Sequence, residues 1–228
     1  MNQAQATDDI TVDTIVETVR NSIIRGELAP GAIINSVDIA NQFGTSRTPV
    51  REALLILNQH GLITLTARRR PQVVPVSAQA IRDLYAFRAA VHGLMSDAIV
   101  ATASDEALRS LHAHALVLAE AEAQGGEPFM RHIESYLEEE MSLCGNALVI
   151  SVLESLKWKM AWFRRIGLMS DEQMESLSGD RVRVVNAYMD RDAPLANALN
   201  RSMLRKAGDF CEKNFLAMQR ADPLPSGK

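Results

Sequence analysis

Cysteine is scarce in this chain, with Cys144 and Cys211 as the two examples among 228 residues. They show no metal-ligand spacing, and we expect both to be reduced, buried thiols. Long apolar runs are also missing, because no stretch reaches eighteen consecutive apolar residues, and this excludes a membrane-spanning helix in the sequence. Residues 1–9 are polar and lack the apolar core of a signal peptide, so we expect a cytoplasmic protein.

A strong excess of charge of either sign is absent as well. The chain has 24 Lys+Arg and 28 Asp+Glu, a net charge of −4, which argues against indiscriminate coating of nucleic acid. Residues 44–75 nevertheless hold five arginines and one acidic residue, Glu52, for a local charge of 5 − 1 = +4. Residues 76–228 hold 17 Lys+Arg and 21 Asp+Glu, a charge of −4. A small basic patch on an acidic body favours sequence-selective nucleic-acid binding.

The most informative pattern lies in residues 47–59, which predict a helix with an apolar stripe at positions i, i+3, i+4 and i+7. Arg47, Thr48 and Arg51 share the opposite side of this helix, and Ser46 is expected to cap it. A short helix with an apolar back and arginines at its start can lie in a DNA major groove. Taken alone, the segment could also be a solvated amphipathic helix that carries two arginines.

The neighbouring segments support the first interpretation. Residues 36–43 predict a second short helix with Ser36 as its cap, and Gly44 follows where a left-handed residue is favoured. Together with residues 47–59 they form a helix-turn-helix pattern. Upstream, apolar residues recur with a period near 3.6 from Val12 onward, which predicts a further helix.

Downstream, two apolar runs predict a β-hairpin. They cover residues 62–65 and 73–76, and the segment between them carries Arg68, Arg69 and Arg70. Three consecutive arginines at a hairpin tip can contact phosphate or enter a minor groove. Three helices and this hairpin predict a winged helix-turn-helix.

The rest of the chain predicts helices, without strand signals. The expected helices cover residues 77–101, 104–124, 128–143, 147–167, 171–190 and 193–219. Short loops between helices of this length indicate antiparallel packing. We therefore expect a mainly α protein, in which the winged helix-turn-helix is followed by an antiparallel all-helical bundle.

Residues 46–54, with Leu57, Gly61 and Leu62, resemble the DNA-binding motif of the GntR family of bacterial transcription regulators. The resemblance spans residues 10–76. More loosely, the following residues resemble the all-helical effector domain of the FadR branch, the FCD type. The domains implied are a disordered N-terminus (1–9), a DNA-binding domain (10–76), an effector-binding and dimerisation domain (77–220) and a flexible tail (221–228).

The same resemblance implies which residues contact the operator. The positions that commonly do so are Thr45, Ser46, Arg47, Thr48 and Arg51, and Gly61 is placed near the DNA backbone. One departure concerns the helix before the turn, which in the family often carries an arginine where this chain has Val37. That contact is expected to be missing, so the operator is expected to differ.

In the FCD family the bundle encloses a pocket for a small organic effector, frequently over a metal held by an Asp, a His four residues later and two more His. The corresponding positions are Ile133 and Leu137 (or His132 and Tyr136 in a shifted register), then Arg181 and a position near Met203. Neither arginine nor methionine suits such a metal. No metal and no other cofactor is therefore expected.

The hypothesis that follows is a metal-free pocket built from Arg88, His92, Tyr136 and Arg181, which binds an anionic or polar metabolite. A guanidinium binds carboxylates through a bidentate fork, so Arg181 could replace the charge of the metal. The alternative, in which Arg88 and Arg181 are surface or salt-bridged residues, stays open. The acidic run at residues 138–140 predicts a solvated helix face.

The sequence therefore predicts a homodimeric transcription regulator, and we expect a repressor whose affinity for double-stranded operator DNA depends on a bound metabolite. Two half-sites require two recognition helices, which two-fold symmetry usually presents. One alternative is a metal-dependent FCD-type regulator with a rearranged site. Another is an enzyme with a DNA-binding module, but the sequence has no Gly-rich phosphate loop, no G-x-S-x-G and no paired metal motif.

Overall fold

The computed structural model describes residues 3–167 and 171–221 and is mainly helical. Its elements are α1 (Gln3–Arg25), α2 (Ser36–Phe43), α3 (Arg47–Gln59), β1 (Ile63–Thr64), β2 (Gln72–Val73), α4 (Ala78–Thr102), α5 (Asp105–Ala123), α6 (Gly126–Ser142), α7 (Ala147–Ile166), α8 (Asp171–Met189) and α9 (Ala193–Ala221). The predicted order of a winged helix-turn-helix followed by a helical bundle is confirmed.

The chain divides into two compact units. The first contains the residues up to Ser77 together with Ser155–Ile166, and the second contains Ala78–Glu154 and the described residues from Gly167 onward. The sequence assigned residues 77–220 to one domain, so the inclusion of the second half of α7 in the first unit is a difference from that assignment. No local pattern in the sequence marks this inclusion.

The two ends of the chain also differ from the expectation. Helix α1 begins at Gln3, whereas the sequence predicted disorder through residue 9. The apolar periodicity that predicts the helix begins at Val12, so it does not reveal the first turns. Helix α9 ends at Ala221, and the rest of the expected tail lies outside the described residues.

The core of the first unit forms where α1 and α2 pack against α3. Helix α3 buries the stripe that the sequence predicted, namely Val50, Ala53, Leu54 and Leu57. Strands β1 and β2 pair antiparallel, with Ile63 opposite Val73 and both side chains buried. The hairpin strands are shorter than the predicted apolar runs.

The two helix caps of the helix-turn-helix differ from the prediction in one respect each. The N-cap of α2 is Asn35 and not Ser36, and the Asn35 side chain accepts a hydrogen bond from the Val37 amide. Ser46 does occupy the N-cap position of α3, but its hydroxyl makes no capping hydrogen bond. Gly44 adopts the predicted left-handed conformation, with φ of 61°, which allows the tight turn between α2 and α3.

In the second unit α4 packs along α9, α5 packs against α6 and α8, and α8 also packs against α9. The approach of α4 and α9 is close at Gly208, where an added Cβ would lie 2.8 Å from the Cβ of Tyr85. Cys144 and Cys211 are both buried and form no disulfide, as predicted. Within the described residues no helix is long and apolar enough to span a membrane.

Candidate DNA-binding surface and buried polar cluster

Five basic residues of the first unit are exposed on its surface. All five arginines that the sequence singled out are exposed: Arg47, Arg51, Arg68, Arg69 and Arg70. In residues 3–167 and 171–221, none of the five makes an ion pair. Their charges are therefore available to an external anion, and folding bears almost no desolvation cost for them.

A groove of about 730 Å³, which we call the front groove, gathers three of these arginines. Arg47 and Arg51 line it from α3, Arg70 lines it from the hairpin loop, and Ser36 and Val37 line it from the first turn of α2. A groove with guanidinium groups from two separate elements can hold the backbone of a polyanion while α3 contacts base edges.

The remaining predicted contacts lie outside the lining of the front groove. Ser46 and Thr48 are exposed at the start of α3, and Thr45 is half-buried in the turn before it. Gly61 follows the end of α3 with φ of 67°, and an added Cβ there would lie 3.7 Å from Cδ of Lys159. A lysine of α7 therefore lies next to the glycine that was placed near the DNA backbone.

The hairpin tip is shaped by a turn. Arg68 has φ of 62°, an uncommon conformation for a non-glycine residue, and the Arg69 amide donates a hydrogen bond of 3.1 Å to the Thr66 carbonyl. Arg68 and Arg69 do not line the front groove, although Arg70 does. Of the three consecutive arginines, only Arg70 thus adds its charge to the front groove.

Helix α7 contributes an aromatic contact to the first unit. The Trp158 ring lies 3.8 Å from the His60 ring, centroid to centroid, and the Arg20 guanidinium lies 5.3 Å from the Trp158 ring. Burial lowers the pKa of His60, the C-cap residue of α3. The Trp158 ring thus lies close to both an imidazole and a guanidinium.

The second unit contains a group of buried polar side chains contributed by four helices, which we call the polar cluster. Its members are Arg88, His92 and Ser96 of α4, Glu140 of α6, Tyr188 of α8 and Asn200 of α9. Each is less than a tenth exposed. Removing polar groups from water costs free energy unless their hydrogen bonds are replaced. A buried cluster of this size therefore requires hydrogen-bond partners within the protein or on a ligand.

Hydrogen bonds join part of the polar cluster. The Tyr188 hydroxyl donates to Glu140 Oε1 at 3.0 Å, and the Asn200 amide Nδ2 lies 2.9 Å from both the Tyr188 and the Ser96 hydroxyl oxygens. The Ser96 hydroxyl donates to the His92 carbonyl at 2.9 Å. The tyrosine thus links the acidic and the amide side chains across α6, α8 and α9.

Burial governs the ionisation of the polar cluster. It raises the pKa of Glu140 to about 7, although the Tyr188 hydrogen bond and the positive charges of Arg181 and Arg88 oppose the increase. Burial and the same two arginines lower the pKa of His92 to about 3, so His92 is neutral at pH 7. Burial also lowers the pKa of Arg88 and raises that of Tyr188.

Three buried atoms of the polar cluster have no hydrogen-bond partner among the described residues. They are Nε of Arg88, Nδ1 of His92 and Oδ1 of Asn200. A buried polar atom without a partner costs about 1–3 kcal/mol, so native structures rarely keep several together without a reason. The set offers a hydrogen-bond donor at Arg88 and an acceptor at Asn200.

The predicted effector residues are all found in or beside this region. Arg88 and His92 belong to the polar cluster, which contradicts the alternative of a surface Arg88. Tyr136 is buried, with its ring in an edge contact with His114. Arg181 is half-buried, with its guanidinium 5.4 Å from the Phe129 ring, and its charge acts on Glu140, His92 and Arg88.

Four members of the polar cluster were not among the predicted effector residues, namely Ser96, Glu140, Tyr188 and Asn200. Residues 138–140 were predicted to form a solvated helix face, which is wrong for Glu140, since it is only 3% exposed. Glu139 is half-buried and pairs with His114 at 2.7 Å, while Glu138 is exposed. A signal was present, because Glu140 stands four residues after the buried Tyr136 and therefore on the same face of α6.

The residues do not fit the metal that the family resemblance implies. Within the described part of the chain, no three or more His, Cys, Asp and Glu side chains are placed so that they could hold a metal ion. The aligned positions Ile133 and Met203 are buried apolar residues, and Arg181 carries a positive charge. His92 and Glu140 supply two donors, too few to hold a divalent ion by themselves.

Two protein families match the chain. "Bacterial regulatory proteins, gntR family" matches residues 11–73, and the FCD domain matches residues 83–206. The matched segments cover the front groove and most of the second unit.

Known proteins agree with these matches. A transcriptional regulator from an unstable DNA locus of Streptomyces ambofaciens is 28% identical over 195 residues (86% of this chain, 82% of the relative). The transcriptional repressor GlaR of Escherichia coli is 24% identical over 197 residues (82% and 89%). The structure of E. coli McbR/YncC superposes with a TM-score of 0.68 at 16% identity, over 92% of this chain and 98% of that one.

Proposed function

Since the chain belongs to the GntR family of bacterial transcription regulators with an FCD domain, we propose that it is a homodimeric repressor controlled by a small anionic metabolite. The metabolite binds at the polar cluster and changes the affinity of the protein for operator DNA. The observation that carries this proposal is the set of buried atoms on Arg88, His92 and Asn200 that have no partner in the described part of the chain.

The DNA-binding part of the proposal is supported by the front groove. Arg47 and Arg51 line it, and the local charge of residues 44–75 is +4 on a chain of net charge −4. This charge distribution favours a selective binder, because the acidic remainder repels DNA that does not dock on the groove. A two-fold dimer would present two such grooves to two half-sites in the cytoplasm.

Repression is inferred from relatives. GlaR of E. coli is named a transcriptional repressor, and so is RspR of E. coli, which is 32% identical to this chain over 69 residues. A repressor of this kind releases its operator when the effector shifts the population of conformations. The coupling between two such sites is typically about 1–3 kcal/mol, or roughly 5–150-fold in operator affinity.

The charge of the effector follows from the residues around it. The positive charges of Arg88 and Arg181 both act on Glu140 and His92, and the Arg88 guanidinium is buried. Positive charge in a buried or half-buried position favours a ligand of opposite sign, and guanidinium groups bind carboxylates most effectively. The Asn200 Oδ1 acceptor in addition favours a ligand with a hydroxyl or amino donor.

The test uses small carboxylic acids, because they match this charge. A panel of mono- and dicarboxylates would be screened by thermal shift against the wild-type protein, Arg181→Ala and Arg183→Ala. Arg183 is the matched control, since it lies two residues away on α8 and is exposed. We expect at least one acid to stabilise the wild type and Arg183→Ala, and to do so at least tenfold more weakly in Arg181→Ala.

An acid that passes this screen would then be titrated into a complex of the protein with an operator duplex selected in vitro. We expect it to weaken operator binding by roughly 5–150-fold. Equal stabilisation of wild type and Arg181→Ala by every active acid would contradict the proposed site. An active acid that strengthens operator binding would contradict repression relieved by the effector.

A further inference from the structure

The front groove is not uniformly basic, because two large exposed apolar side chains share it with the arginines. Val37 of α2 is 40% exposed and Leu55 of α3 is 45% exposed, and both line the groove together with Arg47 and Arg51. Ile34 also lines it but is only 3% exposed, so it belongs to the core beneath. The groove therefore offers apolar contact points within reach of a polyanion held by guanidinium groups.

Val37 is held in a fixed position. Its amide donates a 3.1 Å hydrogen bond to Oδ1 of Asn35, the N-cap of α2, which anchors the backbone at the first turn. A β-branched side chain in a helix has one strongly preferred rotamer. The exposed methyl groups of Val37 can thus make a contact at little cost in side-chain entropy.

We propose that Val37 reads DNA sequence by contacting the 5-methyl group of a thymine in the major groove, next to the bases that Arg47 and Arg51 face. The 5-methyl group is the apolar feature that base pairs present in this groove, and small apolar side chains contact it. Charge complementarity selects duplex DNA as the occupant, because the exposed guanidinium groups of Arg47, Arg51 and Arg70 line the same groove.

The contact also determines which base pair is disfavoured at this position. A cytosine at the same position has no 5-methyl group and presents an N4 amino donor, for which valine has no acceptor. Docking Val37 over a G·C pair would remove water from polar base edges without replacing their hydrogen bonds. Val37 therefore acts as a specificity-determining residue, because the protein binds more tightly when the contacted position is a T·A pair than when it is a G·C pair.

The experiment starts from a duplex that the wild-type protein itself selects from a randomised library. Each thymine of the selected half-site is then replaced in turn by deoxyuridine, which removes only the 5-methyl group. We expect one position at which the replacement weakens binding about three- to fivefold, the effect of exposing one buried methyl group. At that position Val37→Ala should lose the preference, so that thymine and deoxyuridine bind it equally.

The control is Ile33→Ala, which removes a 63% exposed apolar side chain of the same unit that does not line the groove. This variant should keep the full preference for thymine at every position. A half-site without thymine, or a methyl effect of the same size in wild type and Val37→Ala, would overturn the assignment. Selection of no duplex at all would instead contradict the DNA-binding function.

Discussion

Arginines occupy two opposite environments in this protein. In the first unit Arg47 and Arg51 are exposed and line an open groove, whereas in the second unit Arg88 is only 6% exposed among other polar side chains. An exposed guanidinium keeps its hydration until DNA replaces the water. It can therefore contribute to DNA binding without lowering the free energy of unfolding. A buried guanidinium has lost that hydration and depends on its neighbours.

The two regions should therefore respond differently to the same kind of substitution. Substitution of the exposed arginines of the front groove should alter DNA binding and leave the free energy of unfolding nearly constant. Changes in the polar cluster should alter the free energy of unfolding and its pH dependence, because those groups are ionised or neutralised inside the protein. Substitutions in either region test this contrast.

The largest effect is expected for Glu140→Gln. In the folded chain the pKa of Glu140 is about 7 against an ordinary value of 4.5, so the folded state holds the proton more tightly than the unfolded one. The corresponding stability is present below pH 4.5 and is lost as the pH rises through 7, for a total of about 3 kcal/mol. Urea unfolding of wild type and variant between pH 5 and 8 should show this difference.

His92 changes stability in the opposite direction, which is why the prediction concerns the difference between two proteins. Its folded pKa of about 3 lies below the ordinary 6.5, so its contribution is present above pH 6.5 and is lost as the pH falls. Both proteins keep His92, so its contribution largely cancels between them. Glu138→Gln, at an exposed position of the same helix, should follow the wild type, and a Glu140→Gln profile parallel to that of the wild type would contradict the prediction.

Arg51→Ala should cost about 1–3 kcal/mol on the selected operator duplex and far less on random DNA, because a guanidinium that reads a base loses sequence discrimination. Fluorescence anisotropy measures both affinities. The melting temperature should stay within experimental error of the wild type, and Gln59→Ala, at the exposed far end of α3, is the control. Equal losses on both duplexes would show that Arg51 contacts phosphate alone.

A smaller and different effect is expected at the hairpin. Replacing Arg68, Arg69 and Arg70 together by alanine should flatten the plot of log affinity against log salt concentration, by up to about 0.9 in slope for each phosphate that the variant no longer neutralises. Affinities measured at several salt concentrations check the change. A slope equal to that of the wild type would remove the hairpin tip from the DNA-binding surface.

The smallest expected effect is a difference in stability between variants of the two N-cap residues, Asn35 and Ser46. Asn35→Ala should lower the free energy of unfolding by about 1 kcal/mol, because the Asn35 side chain satisfies the Val37 amide. Ser46→Ala should leave stability almost unchanged, since the Ser46 hydroxyl makes no capping bond. Chemical denaturation distinguishes the two, and a comparable loss in Ser46→Ala would mean that this hydroxyl caps α3 in solution.

Local signals in the sequence were enough to predict most of the secondary structure. Helices α2 and α3 begin and end where predicted, because apolar spacing and the glycine at position 44 act within a few residues. The later helices were placed to within a few residues for the same reason. The five arginines of the first unit were identified as a basic patch because their positions along the chain are close.

Tertiary packing was needed for every feature that depends on contacts between residues far apart in the sequence. The buried Glu140 of α6 accepts a hydrogen bond from Tyr188 of α8, 48 positions later, and the contact of Trp158 with His60 joins residues 98 positions apart (158 − 60). Charge alone suggested solvent for Glu140, since an isolated helix would expose it. Desolvation and packing act only once the helices are in contact. They explain why Glu140 is a buried member of the polar cluster and not an exposed acidic residue.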